Sequence, residues 1–96
     1  MNKTCLITGG AKRIGKSICL ALANSGWDVA IHYNESEQEA EDLKAQISEI
    51  GTKSTLIQAA FSSNNAEKYD SIIQKVELEL GKISLLVNSA SSFEYD

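Results

Sequence analysis

Short apolar runs alternate along this chain with longer stretches in which apolar residues return every three to four positions. That alternation is the mark of repeated strand-helix units around a parallel sheet. The first run, Thr4 to Thr8, is predicted as a strand, and Ile14 to Ser25 as a helix with Ile14, Ile18 and Leu22 on one face, ended by Gly26 as a left-handed cap. A second strand spans Asp28 to Tyr33. Ser36 with Glu39 three residues on has the pattern of a capping box, followed by an apolar stripe of Ala40, Leu43, Ile47 and Ile50 that Gly51 stops. Ser54 to Gln58 form a third strand. Asn64 with Glu67 repeats the capping signal ahead of a helix carrying Tyr69, Ile73, Val76 and Leu80, and Gly81 closes it. The last run, Ile83 to Asn88, is unbroken and apolar, as expected of a strand buried on both faces.

The predicted order is therefore β-α-β-α-β-α-β, with no repeat, low-complexity tract or linker to divide it. Right-handed crossovers lead to an α/β fold of three layers, a parallel sheet of strand order 3-2-1-4 with helices on both faces. They gather the carboxyl ends of the strands, and the loops after them, along one edge. A ligand is expected there.

Composition narrows the function classes. With 96 residues, a net charge of −4, 43% hydrophobic and 6% aromatic content, the chain is the size of one domain or part of one, and residues 1–96 are read as a single unit. A chain of this length buries only about 60% of its unfolded surface, so its core is small. Lys and Arg are scattered rather than gathered on a stripe, so no nucleic-acid partner is expected. The first eight residues hold only a short apolar run, Cys5 to Ile7, which suits neither a signal peptide nor a membrane span, and a cytoplasmic location is the default. Cys5 and Cys19 lie within apolar stretches with no partner at metal-ligand spacing, and read as buried structural thiols.

The candidate chemistry lies between the first strand and first helix, in Thr8-Gly9-Gly10-Ala11-Lys12-Arg13-Ile14-Gly15. Glycine at such a turn takes backbone conformations other residues resist, while the first helical turn offers unpaired N–H groups and the positive end of the helix dipole to an anion. Lys12 and Arg13 add cationic donors. The same glycines could also serve only to make a tight turn and let the helix pack close to the strand. Placement directly after the first strand favours a phosphate-binding role.

At these residues the chain resembles the short-chain dehydrogenases and reductases, whose fingerprint TGxxxGxG stands here as TGGAKRIG. The resemblance implies a Rossmann-type fold and a nicotinamide dinucleotide held by Gly9, Lys12, Arg13, Ile14 and Gly15. Arg13 replaces the middle glycine, as in the pteridine-reductase-like branch, and would lie against the cofactor's phosphates. The family's NAD-selective carboxylate at the end of the second strand is also missing, since counting eighteen residues from Gly15 reaches Tyr33, flanked by His32 and Asn34. With Arg13 nearby in the fold and Ser36 as a further donor, such a pocket tolerates the 2′-phosphate of NADP(H), which is favoured over NAD(H). Glu35 opposes that choice, because it could accept a ribose hydroxyl. Ala60 stands where the family usually keeps an Asp against the adenine, before Phe61 and Ser62, which are also assigned to the cofactor. His32, the only histidine, is read as a packing or phosphate-neighbour residue rather than a catalytic one.

Asn88, Ser89 and Ala90 occupy the place of the family's NNAG segment beside the cofactor. The stretch NSASSF resembles pteridine reductases, which makes Ser91 and Phe93 the candidate substrate residues, Phe93 stacking on a flat heterocycle. No catalytic residue is assigned, because the family's general-acid Tyr has a Lys four residues on, whereas Tyr33 and Tyr69 are followed at that spacing by Glu37 and Ile73. The resemblance thus implies the cofactor-binding front part of an oxidoreductase, with a sheet that stops at its fourth strand. Two other readings stay open: a catalytically inactive nucleotide-binding module, and an interaction protein that forms homo-oligomers through the exposed edge of the fourth strand.

Overall fold

The computed structural model describes residues 3–11, 13–59 and 66–89. In chain order the elements are β1 (Thr4–Thr8), α1 (Arg13–Asn24), β2 (Asp28–Tyr33), α2 (Glu37–Ile50), β3 (Ser54–Gln58), α3 (Ala66–Leu80) and β4 (Leu85–Asn88). The strands form one sheet of order β3-β2-β1-β4, parallel throughout. Cys5 stands opposite Val29 on one side and Leu85 on the other, and Val29 opposite Ser54. The predicted topology is the observed one.

The two-residue period of the strands sorts the core into two halves. Cys5 and Ile7 of β1 and Val29 and Ile31 of β2 face Cys19 and Ala23 of α1 and Leu43 and Ile47 of α2. Leu6 and Ala30, one step out of phase, face Ile72 and Val76 of α3 together with Ile57. The central strand β1 is therefore buried along its whole length. Each fully buried Leu, Ile or Val contributes roughly 1.5–3 kcal/mol relative to exposure, and these residues supply most of the folding drive.

Several details depart from the sequence pattern. In α1 the buried stripe is Gly15, Cys19 and Ala23, one residue along from the expected Ile14, Ile18 and Leu22, and Ile14 is 63% exposed. Small residues win that face because they let the helix axis approach the sheet; Ile18 and Leu22 close the flanks. In α2, Ala40, Leu43 and Ile47 are buried as expected, but Ile50, at the end of the helix, is exposed. Its capping box does not form. The Ser36 side chain makes no cap hydrogen bond, and the acidic Glu37 and Glu39 complement the positive end of the helix instead.

In α3 the buried positions are Ile72 and Val76, with Ile73 and Leu80 packed beside them. The side chain of Tyr69 and the Asn64 capping signal lie outside the described residues. The fourth strand begins at Leu85 rather than Ile83 and is covered on one face only: Leu85 and Val87 are half-buried, and Leu86 is 52% exposed. The reason is placement. Helix α3 packs over β3 and β2, so it does not reach the face of β4 on which Leu86 lies.

Candidate functional site

All four strands run the same way, so Thr8, Tyr33, Gln58 and Asn88 end along one edge of the sheet. The turn from β1 into α1 rises from the middle of that edge. Gly9 sits at φ 64°, in the left-handed region that suits glycine. Its N–H donates to His32 Nδ1 (2.9 Å), and the N–H of Gly10 donates to the His32 carbonyl (2.9 Å). A Cβ on Gly10 would come within 3.1 Å of Cys19 Sγ and of the Ile7 carbonyl oxygen. A Cβ on Gly15 would lie 2.8 Å from Gly10 Cα and 2.9 Å from Ser89 Oγ, and would also strike the Gly9 carbonyl. Helix, turn and the end of β4 thus meet at distances only glycine permits.

The ends of β1 and β4 are tied together at the same place. Thr8 Oγ1 donates to Asn88 Oδ1 (2.7 Å), and the Thr8 carbonyl accepts both the N–H of Ser89 (3.2 Å) and its hydroxyl. Arg13 opens α1 with its side chain exposed and φ at 22°, a conformation that non-glycine residues rarely adopt and that costs of order 1–3 kcal/mol. Such strain is a common mark of a functional position. Arg13 and Ile14 point into solvent, Gly15 inward, so the outer surface of the first helical turn is lined by a cation and an apolar side chain.

The other assigned residues are distributed as follows. His32 is 3% exposed and takes part in the turn's hydrogen bonding rather than in an open cleft. The Tyr33 ring packs with Ala11 and Ala40, bracing the turn against α2; burial and the carboxylates of Glu37 and Glu41 push its hydroxyl pKa up. The Asn34 carbonyl accepts from Gln58 Nε2 (2.8 Å), Ser36 is buried, and Glu35 is exposed. Asn88 is exposed and Ser89 half-buried. Lys12, Phe61, Ser62, Ala90, Ser91 and Phe93 lie outside the described residues.

Three contributors were not among the assigned site residues: Thr8, Gly10 and Ala59. Thr8 heads the glycine segment, which was a usable signal. Ala59 acts through its carbonyl, which leaves no trace in residue type. Cys5 and Cys19, read as buried thiols, are fully buried, and burial pushes each pKa up to about 12, so neither is a nucleophile near neutral pH. Among the described residues no group of three His, Cys, Asp or Glu side chains could hold a metal ion, and no helix is long and apolar enough to cross a membrane.

The arrangement fits the diphosphate of a dinucleotide. The amides of Gly9 and Gly10 are already engaged, so the donors facing an anion are the N–H groups of the first turn of α1, which by helix geometry have no partner within the helix. Gly15 lets the first turn of α1 pack directly against the glycine turn and Ser89, and Arg13 stands exposed at the start of that helix. These features match the phosphate-binding turn of nucleotide-binding α/β proteins.

The comparisons with known proteins make that class specific. The model of the short chain dehydrogenase family matches residues 3–94, and this chain belongs to that family. Among curated relatives, it is 38% identical over 90 residues to the 3-oxoacyl-(acyl-carrier-protein) reductase FabG of Staphylococcus epidermidis, covering 94% of this chain and 36% of that protein. It is 37% identical over 91 residues to the short-chain dehydrogenase/reductase homolog YusS of Bacillus subtilis, covering 95% of this chain and 82% of that protein. Among solved structures, FolM alternative dihydrofolate reductase 1 of Brucella canis, complexed with NADP, superposes with a TM-score of 0.86 at 38% identity, over 99% of this chain and 37% of the other. The chain thus spans little more than a third of the FabG and FolM proteins.

Proposed function

We propose that this chain is the dinucleotide-binding part of an NADP(H)-dependent short-chain oxidoreductase of pteridine-reductase-like specificity. The observation that carries the reading is the pairing of Arg13, exposed at the start of α1, with a β2 end that reads Tyr33-Asn34 and so offers no carboxylate where NAD-selective proteins hold one. The NADP held by the Brucella neighbour at 38% identity supports the same choice, and that neighbour's name, a dihydrofolate reductase, supports a flat pterin-like substrate. When bound, the nicotinamide would supply hydride to the substrate. The chain's own part is to bind and orient: the first turn of α1 holds the diphosphate, Arg13 meets the phosphates, Ser36 and Asn34 border the ribose, and Asn88 and Ser89 flank the nicotinamide half. Ser91 and Phe93 are the proposed substrate contacts. With no Tyr followed four residues on by Lys, the chain alone is expected to bind the cofactor without turning it over.

The test is a fluorescence titration of NADPH and NADH against wild type and Arg13→Ala. NADPH differs from NADH by the 2′-phosphate on its adenosine ribose, and a charge-assisted bond from Arg13 to that group contributes about 1.5–3 kcal/mol, so NADPH should bind roughly ten- to a hundredfold more tightly than NADH, and Arg13→Ala should remove most of that preference. Equal affinities in wild type would refute the assignment, and an NADH preference would point to Glu35.

A further inference from the structure

His32 joins two loops that belong to different strands. It lies near the end of β2, between β1 and β3 in the sheet, and its ring is buried. On one side Nδ1 accepts the N–H of Gly9 at 2.9 Å, 23 residues earlier in the chain. On the other, Nε2 lies 2.8 Å from the carbonyl oxygen of Ala59, 27 residues later. A nitrogen that accepts an N–H carries no proton, and a nitrogen facing a carbonyl oxygen must carry one, so a single neutral form, protonated on Nε2, satisfies both contacts. The backbone doubles the link: the N–H of Gly10 donates to the His32 carbonyl (2.9 Å) and that of Ala59 to the Tyr33 carbonyl (3.0 Å).

We propose that His32 is a positioning residue that holds the glycine turn after β1 and the segment after β3 in register across β2, and so presets the dinucleotide site in its binding geometry. The inference rests on the cofactor reading above but makes a separate claim, that the imidazole acts through the two loops rather than by touching the ligand. Gly9 is where the turn needs fixing. Its φ of 64° directs the chain toward Arg13 and the helix N-terminus, and the ring anchors the amide at that bend. Packing alone would make any side chain of similar volume an adequate replacement. The latch requires an acceptor toward Gly9 and a donor toward Ala59.

The experiment has two arms. Because His32 is the only histidine, the ring ¹⁵N signals of the wild-type chain are unambiguous, and they should show the Nε2–H tautomer at neutral pH with and without NADPH. In the second arm NADPH is titrated against His32→Phe, which keeps a ring and removes both polar atoms, and His32→Asn, whose amide oxygen restores an acceptor at the Nδ1 position. The expected result is a loss of about tenfold or more in affinity for the Phe variant, with partial recovery in the Asn variant. A ring protonated on Nδ1, or a folded Phe variant that binds like wild type, would overturn the latch. Should both variants fail to fold, the wild-type tautomer decides alone. If wild type shows the Nε2–H form but does not bind NADPH, the latch stands and the cofactor reading fails.

Discussion

Gly15→Ala puts the close approach of α1 to the glycine turn under direct test, because two opposing effects predict opposite signs. In a helix, Ala is better than Gly by about 0.8–1 kcal/mol, so an alanine in open space at this position would stabilise the chain. The structure does not offer open space. The new Cβ would lie 2.8 Å from Gly10 Cα and 2.9 Å from Ser89 Oγ, and would overlap the Gly9 carbonyl. The serine hydroxyl can rotate away, but the other two atoms are backbone, so the turn must shift. Overpacking of this kind costs about 1–3 kcal/mol, and with backbone on two sides the upper part of that range applies. The net expectation is a loss of about 2 kcal/mol in stability and at least a tenfold loss of NADPH affinity. Gly26→Ala is the control: at φ 91° with nothing within 4 Å, it should lose about 1–2 kcal/mol through backbone strain without touching the site. Urea unfolding followed through Trp27, the only tryptophan and packed at the core's edge, gives the stabilities, and an NADPH titration gives the affinities. A Gly15→Ala chain more stable than wild type, or equal affinity losses in both variants, would refute the reasoning.

Three further outcomes follow from the same structure. Cys5 and Cys19 should react with a thiol reagent at pH 8 only as fast as the chain unfolds, and labelling within seconds would contradict their burial. Since their folded pKa values are raised from 9.0 to about 12, unfolded thiols ionise first; their contribution to stability is present below pH 9 and is lost as the pH rises toward 12, with Tyr33 shifted in the same direction. Alkaline melts that show no such decline would be the wrong result. In urea unfolding, Leu85→Lys should destabilise the fold by more than Leu86→Lys, because Leu85 packs against the core and Leu86 is exposed; equal losses in the two would mean that the faces of β4 are wrongly assigned.

Much of the fold was legible because strand and helix periods are written in residue type. The element order came from where apolar residues fall and the sheet order from right-handed crossovers, while the burial on both faces expected of the fourth strand is found instead in β1 and β2. Helix α1 was read one residue out of phase because hydrophobicity weights Ile14 and Leu22 above Gly15 and Ala23, while close packing selects for small size. The capping box at Ser36 was a spacing without its hydrogen bond. At the site, the glycine turn, Arg13 and the β4 end were visible as motifs. The Thr8 to Asn88 bond and the two contacts of His32 were not, since they join positions far apart in the chain and two of the partners are backbone atoms.

The turn after β1 and the end of β4 are together the proposed dinucleotide site. Backbone amide shifts of the ¹⁵N-labelled 96-residue chain, followed during titration with NADPH, test it most directly. Saturable changes should concentrate at Gly9, Gly10, Arg13, Gly15 and Ser89, and leave Gly51, Thr52 and Lys53, at the opposite edge of the sheet, unmoved. Changes centred on that opposite edge, or none at millimolar NADPH, would contradict the account.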